Sequence, residues 1–162
     1  MPISSDDFRD ALRHFPAGVT VVTIKTPGDD KPHGLTVSAF ASVSPTPPMI
    51  LVCIDHKSDS HDLMEKAGTV FAVNILPQDQ SDLSNRFAWG DEASRFEAGT
   101  WETAVTGAPV LKEALAWLDC TIYSRHHAGT HTIYIGEVQA SSCPHPDEKP
   151  LIYWNRDYQS LK

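Results

Sequence analysis

The chain has 162 residues, of which 41% are hydrophobic, and this is enough to build the core of one domain over residues 1–162. Its net charge is -8 and its 13 basic residues form no run, which argues against a partner made of nucleic acid. No apolar stretch approaches the roughly 20 residues that span a bilayer, and the N-terminal segment lacks the pattern of a signal peptide, so we expect a cytoplasmic protein that does not bind membranes.

The first predicted elements are a helix and a hairpin. Ser4 and Ser5 can cap a helix whose apolar residues recur at helical spacing until Pro16 and Gly18 end it. The next run, VTVVTI, is rich in β-branched residues and predicts a strand. The turn cluster PGDDKP separates it from a second strand, HGLTVSAFASVS, so the two strands resemble a hairpin.

The second strand, residues 33–44, alternates with a period of two. One face carries Thr36, Ser38, Ser42 and Ser44 around Phe40. Hydroxyls on a strand commonly meet water on the exposed face of an antiparallel sheet. A phenylalanine among them instead favours a flat ligand with polar edges lying against this face.

A third strand and a polar loop follow the break at PTPP. The run MILVCI predicts a strand that is buried on both faces. In the loop DHKSDS, Lys57, Ser58, Ser60 and the free amides of the next helix, HDLMEKAG, are groups that could bind a phosphate. The alternative is that Ser60 only caps the helix and Lys57 is a solvated charge.

The second half of the chain is also mostly extended. VFAVNIL predicts a strand. The segment QDQSDLSNRFAWGDEASRFEAGTWET has no sustained periodicity after its first two turns, which predicts a short helix followed by an irregular surface segment. ALAWLDCTIYSR and HTIYIGEVQASS predict two long strands joined by HHAGT, and KPLIYWNRDYQSL supplies one more. Strands separated mostly by turns, with a few short helices, indicate a mainly β protein with an antiparallel barrel or sandwich.

Several kinds of site lack their motifs. There is no GxGxxG, no phosphate-binding P-loop and no GxSxG elbow. We predict no metal site, because His126 and His127 point to opposite faces of a strand and the other histidines show no matching set of ligands. The three cysteines, an odd number without CxxC spacing, indicate free thiols in a reducing compartment.

Seven segments in a fixed order resemble the short-chain flavin reductases, the small components of two-component flavin-dependent monooxygenases. They are FPAGVTVVT, GLTVSAFASVSPTPPMILVCI, FAVNIL, RFA, GAPVLKEALAWLDCTI, GTHTIYIGEV and PLIYWNRDYQSL. The resemblance covers residues 8–161. It implies a Greek-key, antiparallel split β-barrel that binds FMN or FAD without a Rossmann fold, and a homodimer with the flavin near the subunit interface.

The resemblance also implies site residues. Those expected around the flavin are Thr36, Val37, Ser38, Ala39, Cys53, Ile54, Asp55, Lys57, Ser58, Ser60, Ser84 and Phe87. The strand residues would hold the polar edge of the ring, and the loop after MILVCI would hold the ribityl chain and phosphate. His131 matches a histidine on the nicotinamide side. This chain has Asp55 where many relatives have Asn, which favours loosely held flavin.

The implied activity is hydride transfer from NADH or NADPH to FMN or FAD, with the reduced flavin passed to a partner monooxygenase. Cofactors supply this chemistry, so the protein contributes binding, alignment and electrostatics. Two alternatives stay open at this point. The protein could keep its flavin and reduce another acceptor, or it could carry flavin with little turnover.

Overall fold

The computed structural model describes residues 2–162, and most of its regular elements are strands. The strands are β1 (Ala17–Gly18), β2 (Thr20–Lys25), β3 (His33–Val37), β4 (Phe40–Pro45), β5 (Pro48–Asp55), β6 (Val70–Ile75), β7 (Trp101–Thr103), β8 (Pro109–Leu111), β9 (Ala116–Ala128), β10 (His131–Ser142), β11 (Ile152–Trp154) and β12 (Asp157–Gln159). The α-helices are α1 (Ser5–Leu12), α2 (Asp59–Met64) and α3 (Ser81–Trp89), and a 3₁₀ helix spans Glu92–Glu97. The mainly β prediction is confirmed. None of the helices within residues 2–162 is long and apolar enough to cross a membrane.

Seven strands form the main sheet, in the order β3-β2-β6-β9-β10-β5-β4, and all neighbours are antiparallel. The hairpin of β9 and β10 lies at its centre, with Gly129 in the turn at a φ of +60°. That positive φ suits glycine because it has no Cβ. The predicted hairpins β2–β3 and β9–β10 are therefore confirmed.

The prediction of one strand over residues 33–44 is wrong. The chain leaves β3 at Val37 and enters β4 at Phe40, and the carbonyl of Ser38 accepts a hydrogen bond from the amide of Phe40 at 2.9 Å. Although only two residues separate β3 and β4, they lie at opposite edges of the sheet order. The row of hydroxyls therefore does not share one face.

Strand β5 is buried on one face only, which corrects the prediction of burial on both faces. Ile50, Val52 and Ile54 are buried, whereas the residues between them are partly exposed. This is the pattern of an antiparallel strand with one face on the core. Its amide at Cys53 also donates to the carbonyl of Ala39 at 3.0 Å, so the connection from β3 to β4 is held against β5.

Buried polar side chains hold the sheet to its neighbours. Asn74 of β6 donates to the carbonyl of Val21 at 3.0 Å and accepts from the amide of Leu111 at 2.8 Å, which fixes β8 beside the sheet. Asp119 of β9 has no exposed surface and accepts hydrogen bonds from the amides of Val105 and Thr106, both at 2.8 Å, and from the Thr106 hydroxyl. The buried side chains of Asn74 and Asp119 thus both have hydrogen-bond partners, as a folded interior requires.

The prediction of a single strand in the C-terminal segment is wrong. The segment forms a tight hairpin of β11 and β12, with Asn155 and Arg156 in the turn at φ values of 51° and 65°. β1 pairs with β11, so these strands make a separate three-stranded sheet. Helix α1 begins as predicted, because the Ser4 side chain accepts a hydrogen bond from the amide of Asp7.

Candidate functional site

A cleft of about 510 Å³ lies between β3, α3 and the C-terminal hairpin. Its volume is within the range of small-molecule sites. Val19 and Leu35 form an apolar part of its wall. Thr36, near the end of β3, and Ser38, just after β3, also line the cleft. The cleft therefore lies where the chain leaves β3, at one edge of the main sheet, and crosses to β4 at the other edge.

A chain of hydrogen bonds joins the three walls of the cleft. The Thr36 hydroxyl donates to the carbonyl of Ser84 in α3 at 2.6 Å. The hydroxyls of Ser84 and Tyr158 lie 2.8 Å apart, and Tyr158 donates to the side-chain oxygen of Asn85 at 2.9 Å. The hydroxyls of Thr36 and Ser84 are thus partly used in holding β3, α3 and β12 together.

Aromatic side chains support the α3 wall. Phe87 is 1% exposed, and its ring centroid lies 5.1 Å from that of Phe96 and 5.6 Å from that of Trp101. The facing strand has Gly34, where a Cβ would lie 2.8 Å from Phe87 Cε1. Trp89, at the end of α3, is 87% exposed at the cleft, so it offers an uncovered aromatic surface to a ligand.

Comparison with known proteins assigns the chain to a family. The family model described as "Flavin reductase like domain" matches residues 12–162. The chain belongs to the flavin reductase-like family. It is 41% identical over 155 residues to the actinorhodin polyketide dimerase of Streptomyces coelicolor, covering 94% of this chain and 84% of that protein.

Two further relatives carry names that describe flavin chemistry. The reductase subunit HsaB of a flavin-dependent monooxygenase from Mycobacterium tuberculosis is 35% identical over 156 residues, covering 96% of this chain and 81% of HsaB. The NADH:FAD oxidoreductase SgcE6 of Streptomyces globisporus, solved in complex with NAD and FAD fragments, is 29% identical with a TM-score of 0.88. That alignment covers 100% of this chain and 97% of SgcE6.

Five of the predicted flavin residues line the cleft of this flavin reductase-like protein: Thr36, Ser38, Ser58, Ser84 and Phe87. They come from β3, the start of α2 and α3. Ser38 is exposed, and its hydroxyl has no hydrogen-bond partner among residues 2–162, so it is free to bind a ligand. A cleft of this size, with hydroxyls on one wall and aromatic rings on another, fits a flat, polar-edged group such as a flavin.

Other predicted flavin residues do not line the cleft. Val37 and Ile54 are buried in the core, and Ser60 is buried in α2. Ala39 and Cys53 pair with each other through their backbones beside it, and burial raises the pKa of the Cys53 thiol. The side chains of Val37, Ile54 and Ser60 are therefore withdrawn from a ligand, whereas Ala39 is exposed and Cys53 is partly exposed.

Helix α2, which follows the loop after β5, begins earlier than predicted. Ser58, not Ser60, is the N-cap, and its side chain accepts from the amide of Ser60 at 3.2 Å. Asp55 accepts from the amide of Lys57 at 2.9 Å, and this hydrogen bond, with the nearby charge of His131, lowers the pKa of Asp55 below its ordinary value. The carboxylate therefore stays ionised and is engaged in the turn.

His131 lies at the start of β10, directly opposite Asp55 of β5. Its Nδ1 is 2.8 Å from the hydroxyl of Thr130, and the residue is half-buried. It is not one of the residues that line the 510 Å³ cleft. The structure therefore places His131 opposite Asp55, next to the loop after β5, and not among the residues that line the cleft.

Sequence reasoning missed several cleft residues. Arg95, Arg156 and Tyr158 line the cleft. Arg95 donates to the carbonyl of Gly34 at 2.7 Å, and Arg156 donates to Asp10 at 3.2 Å. No local pattern marks these side chains, because they come from segments that only the tertiary fold brings together.

Proposed function

We propose that this protein is an NAD(P)H:flavin oxidoreductase that reduces FMN or FAD and supplies the reduced flavin to a partner monooxygenase. The observation that carries the proposal is the cleft. The chain belongs to the flavin reductase-like family, and its cleft has the free hydroxyl of Ser38 and the uncovered aromatic surface of Trp89 beside the strand where the resemblance implies the flavin ring. The reductase subunit HsaB, a relative over nearly the whole chain, supports the link to a monooxygenase.

The flavin, when bound, supplies the chemistry by accepting a hydride from the nicotinamide. We assign to Ser38 and the backbone of Ala39 the hydrogen bonds to the polar edge of the ring. Phe87 and Trp89 form the apolar side of the site. We assign Ser58 and Lys57, at the start of α2, to the phosphate end of the flavin.

His131 is the residue that we assign to the nicotinamide. Its imidazole can donate a hydrogen bond or carry a positive charge toward the dinucleotide, and it need not exchange a proton. Asp55 stands opposite it and keeps a negative charge close to the imidazole. We therefore propose positioning of the second substrate as the role of His131.

The fold that we propose for this activity is a single split-barrel domain over residues 1–162. β3 and β5 contact each other although they are not hydrogen-bonded neighbours, and the Ala39 carbonyl accepts from Cys53 across this gap. These contacts support a sheet that curls until its edges approach. A cytoplasmic location fits the three free cysteines.

We also propose a homodimer. An apolar surface next to the cleft carries Phe8, Leu12, Phe15 and Trp154, of which Phe15 is 77% exposed. Contiguous exposed apolar side chains are typical of protein interfaces. Ser38 and Arg156 border both this surface and the cleft, so a second copy seated here would lie beside the bound ligand.

A steady-state assay tests the proposal. Purified protein is mixed with riboflavin, FMN or FAD and with NADH or NADPH, and the nicotinamide absorbance is followed. Oxidation of nicotinamide that depends on added flavin supports the reductase. A flavin that co-purifies and turns over only with another acceptor supports the first alternative, and flavin binding without nicotinamide oxidation supports a carrier.

A further inference from the structure

A cluster of three histidines and a glutamate lies where α2, the loop before it and β9 meet. We call His56, His61, Glu65 and His127 the histidine cluster. His61 and Glu65 are four residues apart, so they share one face of the helical turn that runs from α2 into its C-cap. β9 contributes His127, and the loop after β5 contributes His56.

The side chains of the histidine cluster converge on one point. His127 Nε2 lies 3.4 Å from one carboxylate oxygen of Glu65, and His61 Nε2 lies 3.6 Å from the other. One ligand atom from each of these three residues can be chosen so that all lie within 4.8 Å of one another. The ring centroids of His56 and His61 are 4.6 Å apart.

These spacings approach those of metal ligands. Bonds of 2.0–2.1 Å at tetrahedral angles place ligand atoms about 3.3 to 3.4 Å apart. Glu65 approaches the two imidazoles at 3.4 Å and 3.6 Å through different oxygens, and one ligand atom from each residue lies within 4.8 Å of the others, so the side chains must move closer together to enclose one ion. Two nitrogens and a carboxylate suit Zn²⁺, whereas Ca²⁺ and Mg²⁺ prefer oxygen ligands alone.

A buried group behind Glu65 orients its carboxylate. The Tyr134 hydroxyl donates to Glu65 at 2.6 Å. Tyr134 has no exposed surface, so its ring is fixed by packing. The hydroxyl of the buried Thr132 lies 2.9 Å from His56 Nε2 and 3.1 Å from His61 Nε2. The Tyr134 hydroxyl is an outer group of the kind that holds a ligand side chain in position in metal sites, whereas the Thr132 hydroxyl contacts the same nitrogen of His61 that faces Glu65, so a metal ion bound there takes its place.

We propose that His61, Glu65 and His127 bind one divalent transition-metal ion of the Zn²⁺ type, with His56 beside the fourth position. The ion ties β9 to α2 and to the loop that ends in Ser58. It therefore stabilises the candidate phosphate loop from behind, because it links α2, which follows that loop directly, to β9, which is far away in the chain. Sequence reasoning missed the site because it sought cysteine and aspartate partners and overlooked Glu65.

Direct titration tests the proposal. The full-length protein is treated with a chelator, dialysed, and titrated with Zn²⁺ alone against a chromophoric zinc indicator. We expect one ion per chain. His127→Ala is the main variant because this side chain is 61% exposed, so its loss should not disturb folding. It should weaken Zn²⁺ binding on the order of 100-fold or more, since losing even an outer-shell partner costs 10–100-fold.

His126→Ala is the matched control. It removes the same side chain from the neighbouring position of β9, where His126 lies 3.0 Å from Ser124 on the other face. Zn²⁺ binding should be unchanged in this variant. Glu65→Gln should weaken binding as His127→Ala does, and circular dichroism confirms that each variant is folded. A visible spectrum of the Co²⁺-substituted protein should have the intensity of four-coordinate cobalt and lose it in His127→Ala.

Three results would overturn the proposal: absence of a one-to-one Zn²⁺ complex, equal weakening by His126→Ala and His127→Ala, or wild-type Zn²⁺ affinity in His127→Ala. Each would mean that the cluster is only a hydrogen-bonded network of imidazoles and a carboxylate. The titration contains neither flavin nor nicotinamide, so its outcome is independent of whether the protein is a reductase.

Discussion

Replacing Ser38 by alanine tests whether the cleft holds the polar edge of the flavin. The Ser38 hydroxyl is exposed, lines the cleft and has no hydrogen-bond partner within residues 2–162. In the free protein it therefore bonds to water. Removing it breaks no contact of the fold, and we expect the free energy of unfolding to change by less than about 0.5 kcal/mol.

The effect on binding follows from one lost hydrogen bond. A neutral hydrogen bond to a ligand contributes about 1 kcal/mol, and a tenfold change in Kd corresponds to about 1.4 kcal/mol. Ser38→Ala should therefore raise the Kd for flavin about fivefold. Thr36→Val is expected to behave differently, because the Thr36 hydroxyl already donates to the carbonyl of Ser84 at 2.6 Å and its loss would also lower stability.

Fluorescence titration of FMN and FAD measures the change. Ser42→Ala is the matched control, because Ser42 is also exposed and belongs to the same run of hydroxyls, but it lies on β4 in a different surface depression. Its Kd should equal that of the wild type. If Ser38→Ala also has the wild-type Kd, or if Ser42→Ala weakens binding equally, the ring does not lie against the end of β3.

Three further predictions concern other parts of the chain. His131→Ala should raise the KM for the nicotinamide or slow hydride transfer while flavin affinity is retained; identical stopped-flow reduction in the variant and the wild type would remove His131 from the site. Asp119→Ala should lower the free energy of unfolding by about 3 kcal/mol, because two amides and the Thr106 hydroxyl lose their acceptor on a fully buried side chain, and urea denaturation measures it. Burial, with the nearby charge of Asp119, raises the pKa of Cys120 to about 12, so a thiol reagent at pH 8 should modify the exposed Cys143 quickly and Cys120 only after unfolding; rapid labelling of Cys120 in the native protein would contradict its burial.

The parts of the fold that the sequence predicted are those with strong local signals. β9 and β10 are long, alternate apolar and polar residues, and flank a glycine. The break at Ser38 could not be predicted, because neither glycine nor proline marks it and the alternation of polar residues continues through it. The hairpin at Asn155 was missed for a similar reason, since its turn lacks the usual Asn-Gly pair.

The candidate site was predictable only in part. The resemblance to flavin reductases led to Thr36, Ser38, Ser58, Ser84 and Phe87, which line one cleft. No pattern in the sequence could place Arg156 beside α3, because that contact depends on how the C-terminal hairpin packs. For the histidine cluster, the only local signal is the spacing of four residues between His61 and Glu65. His127 comes from β9, so its position beside them could not be predicted from the sequence.

The position of the β9–β10 hairpin at the middle of the sheet has a consequence for biosynthesis. The strands made earlier form two groups, β3-β2-β6 and β5-β4, and each ends in an edge that only this hairpin covers. Pairings between residues so far apart in the chain form slowly. Until Ser142 has left the ribosome, β5 and β6 each present an unpaired edge, so the nascent chain should be most prone to aggregation, and most dependent on chaperones, just before the hairpin emerges.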